Sequence, residues 1–591
     1  KSMNYKMKKT INTIAILLSL LLSSCESDSF FQLQRPPQNP WNTVSEFEFA
    51  AVSPYKAMFH GGWSALYSNH ALNQVMMSDY FRFLGNVEGY ATEQIYKRRF
   101  DDRVSDIEGL YGQLYKVIGL CNNGLEAFRT SNDNPFPYAS TDDKEKNVKR
   151  IKGELLFMRA FAYYHLAVNF CPAYGYGNDS LKILVKRDKV TYSSVEAMQN
   201  QPTTTGQIYN LIVSDLKQAK ELLPAEFTTG MHASYESRAR ANKWAASAFL
   251  AQVYFTMRKF TGPESALTEL NYVINEGGYS LENDLFKNYN NQDINPKRSV
   301  NNEVIMWVFY ADNVLSSSIH NALRYTHLSK CSRDAKNGGN GNTSTGSSPK
   351  WSNFHSWLQM VMSKNALVEM GWMNEDGTEP ASARFDKRYY NQGTDPSYVN
   401  QFGLFYRYEG AFKDTTEYRI ATGLKTLGRR KGASDDGKYI IDQKFNTLIG
   451  LNPVVLVNKH FRSTEGRLQN LPLIRLAELY LTRAMIKKQA NIPGWAADYN
   501  MVARRAWNAT AAGSPYVDKS DSEVTERMIL VERWKELAGE DGWYLPFCMA
   551  AGFEIGQGDR IPEDNTLSLT APYSDDYWKN CIPLSELDFQ K

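Results

Sequence analysis

Carboxylates stand side by side at several places in the chain, among them Asp101-Asp102, Glu375-Asp376, Asp435-Asp436 and Asp575-Asp576. Glycoside hydrolysis needs two carboxyl groups roughly 5–10 Å apart across a cleft, one of them with a raised pKa. Adjacent acids in polar, glycine-containing stretches are expected in solvated turns instead. A catalytic pair assembled only by the fold would leave no such spacing. The eight histidines, His60, His70, His165, His232, His320, His327, His355 and His460, include no HExxH pair and no His-Cys group at ligand spacing. His165 lies in an apolar helical pattern and is expected in the core. The sequence has no GxSxG nucleophile elbow and no GxxxxGK[ST] phosphate loop. Aromatic residues, at 13%, remain as the chemistry-bearing type. They can fill a core or offer rings to the C–H faces of sugars.

Two aromatic regions carry hydrogen-bonding neighbours as such stacking needs. The first runs from Trp63 through Tyr67, Asn69 and His70 to Asp79, Tyr80, Phe81, Arg82 and Phe83, with its non-helical end, to Tyr90, the stronger half. The second is Trp351, Asn353, Phe354, His355 and Trp357, which follow a Ser/Gly/Asn-rich stretch at 331–350, with Trp372 beyond. These positions are chosen by composition and place; no motif marks them.

Cys25 is a different kind of site. Lys6, Lys8 and Lys9 precede an apolar run from Ile11 to Leu22, which is too short for the ~20 residues a membrane span requires. The run ends in Leu22-Ser23-Ser24-Cys25, similar to the bacterial lipobox. That chemistry attaches diacylglycerol to the cysteine thiol, cleaves before it and acylates the new amine with a chain such as palmitate. Each buried methylene is worth about 0.8 kcal/mol, so two or three chains anchor where one does not. Residues 1–24 are thus expected to be a lipoprotein signal peptide, and 25–44 a lipidated terminus and tether stiffened by Pro36, Pro37 and Pro40.

Removing residues 1–24 takes away four lysines and no acid, so the formal net charge falls from +3 to −1. A near-neutral chain lacks the basic excess that nucleic acid demands. Past Cys25 five widely spaced cysteines remain: Cys121, Cys171, Cys331, Cys548 and Cys581. Without CxxC spacing they suggest buried thiols, not a disulfide framework or a metal site.

From residue 45 the periodicity is helical. Apolar residues recur at three-and-four spacing over Asp142–Phe170, Gln207–Leu223, Ala241–Phe260 and Glu264–Asn275. Helix, tight turn and helix over roughly 34 residues is the tetratricopeptide period. Later helices are expected at Leu473–Gln489, Ala496–Thr510 and Ser522–Ala538, and a buried strand at Glu303–Tyr310. The fold class that results is mainly α, a tetratricopeptide-like helix-pair scaffold at about 45–300 and 471–545. A mixed, loop-rich insertion interrupts it at about 301–470, and a C-terminal extension covers 546–591.

Five segments in order resemble the SusD/RagB family of outer-membrane nutrient-binding lipoproteins. They are Gly153-Glu154-Leu155-Leu156-Phe157-Met158-Arg159-Ala160-Phe161; Ile208 to Pro224 with Asp215-Leu216; Leu471-Pro472-Leu473-Ile474-Arg475-Leu476-Ala477-Glu478-Leu479; Asn500 to Ala506 joined to Glu532 to Glu540; and Ile582-Pro583-Leu584-Ser585-Glu586-Leu587. Two places depart from the pattern. Gly542-Trp543-Tyr544-Leu545 stands where the family shows an arginine and Asp-Leu, and Met485 stands near a family glutamate. The resemblance implies a SusD-like domain over 45–591 that lies at the outer membrane, lipid-anchored and facing outward. It implies capture of a glycan, or alternatively a peptide, for a SusC-like TonB-dependent transporter. It implies no catalysis and no cofactor beyond an occasional structural calcium. The competing reading is a surface glycoside hydrolase whose carboxylates meet only in the fold.

Overall fold

The structure, a computed structural model, describes residues 42–60, 77–83, 105–177, 179–190, 201–228, 230–231, 238–289, 301–308, 360–389, 404–408, 454–457, 459, 470–540, 543–555 and 581–583. Helices dominate. The first half holds α1 (Val44–His60), β1 (Phe81–Phe83), α2 (Ser105–Thr130), α3 (Thr141–Phe170), β2 (Lys182–Val185), β3 (Pro202–Thr204), α4 (Thr205–Leu222), α5 (Lys243–Thr256) and α6 (Ala266–Glu276). The middle holds β4 (Val304–Val308), β5 (Met360–Met362), α7 (Lys364–Glu369), β6 (Phe405–Tyr408) and β7 (Val454–Val457). After β8 (Leu471–Arg475) come α8 (Leu476–Gln489), α9 (Trp495–Ala506), α10 (Ala509–Ala512), α11 (Glu526–Leu537) and α12 (Tyr544–Ala551).

Local chemistry sets the helix bounds. The Ser140 hydroxyl accepts the Asp143 N–H at 3.1 Å to cap α3, and Asp142 and Asp143 favour the positive end of its dipole. Cys171 turns extended and Pro172 follows, so the helix stops there. Thr204 and Gln207 form a reciprocal capping box on α4. Helix α5 is apolar nearly all round, and α3 is buried nearly all round from Gly153 onward, as suits helices enclosed by neighbours.

Helices α2 to α6 pack in chain order, each on the next, and α6 then meets α8. The α5–α6 and α8–α9 hairpins are the tetratricopeptide-like pairs expected from the period. Gly153 lets α3 approach the end of α4: a Cβ there would stand 2.9 Å from Leu223 Cγ. Strand β4 pairs antiparallel with β8, Val304 opposite Arg475 and Val308 opposite Leu471, so the insertion begins and ends on one two-stranded sheet. Sheets β1–β5, β2–β3 and β6–β7 are also two-stranded and antiparallel.

The structure shifts several expected boundaries: the helix expected over Ala496–Thr510 ends at Ala506, and that over Ser522–Ala538 begins at Glu526. Leu473, Ile474 and Arg475 belong to a strand, not to the helix that follows. Their backbone is taken by β4, whose five residues are all buried. His165 is buried as expected, its ring stacked on Trp543 at 5.0 Å. Cys121, Cys171 and Cys548 are buried too, and burial drives the Cys121 thiol pKa far up.

Candidate functional site

The two aromatic regions lie far apart in sequence, and one ladder pairs the described end of the first with the strand that follows Trp357 in sequence. Phe81 pairs with Met362, Arg82 with Val361 and Phe83 with Met360. Ser363 reinforces the junction: its N–H donates to the Tyr80 carbonyl at 2.9 Å and its hydroxyl to the Asp79 carbonyl at 2.8 Å. The same hydroxyl caps α7 by accepting the Ala366 N–H. Strand β7 packs beside β5. Because the ladder is antiparallel, the attachment points of the segments after Phe83 and before Met360 are one cross-strand pair.

Of the residues singled out from sequence, Phe81 and Trp372 belong to the core. Phe81 is 2% exposed and its ring lies against Tyr80. Trp372 is 1% exposed, with Tyr389 at 5.2 Å and Phe405 at 4.8 Å. Their ring faces are spent on packing, so neither offers a platform to a ligand. Arg82 is half-buried, and Phe83 is described only as a strand residue. Cys25, Trp63, Tyr67, Tyr90, Trp351, Asn353, Phe354, His355 and Trp357 lie outside the described residues, as do Asp101-Asp102, Asp435-Asp436 and Asp575-Asp576. Glu375-Asp376 is an exposed turn. There Asp376 accepts the Thr378 hydroxyl at 2.6 Å and its N–H at 2.9 Å, which lowers the Asp376 pKa.

The feature that sequence reasoning missed is a buried ionic cluster that fastens the insertion to the scaffold. Arg475 reaches Glu303 at 2.8 Å and Glu536 at 2.6 Å through Nη1, and Glu540 at 2.9 Å through Nε. Arg505 bridges Glu303 and Glu536. From the insertion, Arg388 binds Glu536 at 2.9 Å, Glu532 at 2.8 Å and Asp386 at 2.9 Å. Lys459 binds Glu540 at 2.6 Å and the Glu536 carbonyl at 2.7 Å. Tyr289 donates to Glu540 at 2.6 Å. Burial alone would raise the Glu536 pKa, but Arg505, Arg475 and Arg388 hold it well below the usual carboxylate range. Glu540 is also buried, and Arg475 and Lys459 hold it low. A glycosidase acid requires the opposite shift. These acids hold the structure together.

Arg475, Arg505, Glu532, Glu536 and Glu540 sit inside the motifs quoted above, and other motif charges act the same way between helices. Arg159 of α3 clasps Asp215 of α4 through two bonds, at 2.7 and 2.8 Å. Glu154 takes Arg150 and Arg240, each at 2.6 Å, while Arg150 and Arg240 also bind Glu48 of α1. Glu478 of α8 accepts from Arg533 of α11 at 2.8 Å. The signal available was charge at fixed places on otherwise apolar helix faces. No ligand chemistry follows from it.

Lys459 gives a pH-dependent test of this placement. Burial holds its pKa down to about 8 despite Glu540, whereas an unfolded lysine titrates near 10.4, about 10.4 being the usual value. Between those values the unfolded chain binds more protons, so this group's contribution to stability rises with pH. We expect native stability, measured relative to Lys459→Met by urea unfolding, to rise by about 3 kcal/mol from pH 7 to above pH 10. A pH-independent difference would place the ammonium in water instead.

Among the described residues no group of His, Cys, Asp or Glu is placed to hold a metal ion, and no helix is long and apolar enough to cross a membrane. An open groove of about 840 Å³ runs past the α5–α6 turn, bordered by Arg258, Lys259, Glu264 and Glu526. Neither Phe81 nor Trp372, the aromatic candidates whose side chains are described, lines it.

A helix-pair scaffold with a pinned insertion defines a class of proteins, and the comparisons with known proteins agree on which. Residues 57–255 match a family model described as "Starch-binding associating with outer membrane", and residues 273–544 match the SusD family model. The chain belongs to the SusD family. Over 170 residues it is 29% identical to the SusD-like protein P2 of Formosa agariphila, a match that spans 29% of this chain and only 27% of that relative. A SusD superfamily protein of Bacteroides thetaiotaomicron superposes with TM-score 0.61 at 18% identity, covering 92% of this chain and 98% of that one. A SusD-like carbohydrate binding protein of Bacteroides vulgatus gives 0.59 at 16%, with 93% and 97% covered. A laminarin binding SusD-like protein gives 0.57 at 15%, with 93% and 98% covered. At these identities the likeness is one of fold, and it bears out the mainly α, helix-pair reading.

Proposed function

We propose that the protein is a surface lipoprotein, anchored through Cys25, that captures a glycan and delivers it to a SusC-like TonB-dependent transporter without catalysing a reaction. The observation that supports this reading is the β1–β5 ladder, which pairs Phe81–Phe83, the described end of the first aromatic region, with Met360–Met362, which lie in sequence between Trp357 and Trp372. Family membership and the carbohydrate-binding descriptions of its relatives support the same ligand class. In this reading the rings that stack on sugar come from Trp63, Tyr67 and Tyr90 on one side and Trp351, Phe354 and Trp357 on the other. Arg82, Asn353 and His355 supply hydrogen bonds to hydroxyls. The described buried acids, Glu536 and Glu540, serve structure.

The test is affinity electrophoresis of residues 42–591 in gels cast with a polysaccharide panel, with a protein digest as competitor. Retardation by one polysaccharide, lost in Trp351→Ala, is the expected result. Retardation relieved only by the digest would replace glycan with peptide. Release of reducing ends from the retarding polysaccharide would overturn the non-catalytic reading.

A further inference from the structure

Between α5 and α8, where the two halves of the scaffold meet, there is a cavity of about 20 Å³. Its walls are buried residues: Phe249, Leu270, Leu479 and Trp543 on the apolar side, and Gln252, Glu478 and Thr482 on the polar side. Thr482 is 3% exposed, and its hydroxyl has no hydrogen-bond partner among the described residues. A threonine hydroxyl in a helix interior can return to the carbonyl four residues back. Here it does not. Glu478 places a carboxylate on the same wall, one turn away on α8, and gives one oxygen to Arg533 at 2.8 Å. Gln252 of α5 faces them with an amide whose nitrogen makes only a long contact, 3.5 Å, with the Tyr164 hydroxyl.

We infer that this cavity is a binding site for one structural water that joins Thr482, Glu478 and Gln252. Three criteria meet there. Roughly 10–15 Å³ suffices for a single water, and a buried water needs two to four polar partners. The Thr482 hydroxyl is an otherwise orphaned buried group, which natural structures rarely tolerate. The carboxylate and amide oxygens can accept both water protons while the threonine hydroxyl donates to the water oxygen, so every partner is used once. An apolar guest of this size would leave the Thr482 hydroxyl without a partner. The water also gives Glu478, a residue of the Arg-Leu-Ala-Glu motif, a contact with the N-terminal half of the scaffold that its Arg533 pair does not provide.

The test is crystallography and thermal unfolding of the native chain, Thr482→Ser and Thr482→Val. The expected result is one density peak within hydrogen-bond distance of the residue-482 hydroxyl in the native and serine proteins. That peak is expected to be absent in Thr482→Val, with a lowered Tm that the serine variant does not share. An empty cavity in the native map overturns the inference. So does a water that persists unchanged in Thr482→Val, or a valine variant with native or higher Tm.

Discussion

Replacing Arg475 by methionine is expected to destabilise the protein by about 3–5 kcal/mol, the usual cost of removing one partner from a buried ion pair. The magnitude follows from what is left behind. Arg475 is the residue that touches Glu303, Glu536 and Glu540 together, and Glu303 is fully buried. Without it Arg505 still spans Glu303 and Glu536, and Lys459 still holds Glu540, but the cluster carries one more uncompensated negative charge. Arg475→Lys should recover little, because an ammonium cannot present two separate edges to three carboxylates. The loss should depend on pH. In the native protein the low pKa values of Glu536 and Glu540 add stability at neutral pH that is lost as pH falls through them. Removing the arginine lets those values rise, so the gap between native and Arg475→Met should be largest near neutrality and shrink on acidification. Urea unfolding at both pH values measures this. A gap that widens in acid would mean the acids are not charged in the folded protein.

How much of this could be read beforehand depends on the range of the interaction concerned. Helix α3 was legible because its signals are local: Ser140 and two acids at its start, an apolar repeat through Val168, and Pro172 at its end. Helices α4, α5 and α6 were legible in the same way, to within a few residues. Strand β8 was not. Leu471-Pro472-Leu473-Ile474 is an apolar run that periodicity alone cannot assign, and its strand character comes from β4, far upstream in the chain. The ionic cluster was hidden for the same reason, since its members come from positions 303, 388, 459, 475, 505, 536 and 540. Their sequence neighbours say that they are buried, but not whom they meet. The candidate site divides likewise. The ladder joining its two regions is invisible in sequence, and so is which aromatic residue faces inward. Phe81 and Trp372 have the composition of a sugar platform and the surroundings of a core.

That ambiguity leads to an expectation opposite to the one composition suggests for Trp372. Trp372→Ala should lower stability by about 3–5 kcal/mol, as truncation of a large buried ring does, while leaving any glycan affinity of the folded protein intact. Its ring fills the space between Tyr389 and Phe405, which sit in separate segments of the insertion, so the variant removes a contact that holds β6 near α7. Phe81→Ala should behave the same way at the β1–β5 ladder, where Tyr80 and Met362 border it. Trp351→Ala is expected to show the reverse pattern, losing polysaccharide retardation with little change in the urea midpoint. Measuring both quantities for all three variants separates packing from recognition. If Trp372→Ala lost retardation at a native urea midpoint, its ring would have to leave the core in solution, and the insertion would be less firmly pinned than the cluster around Arg475 implies.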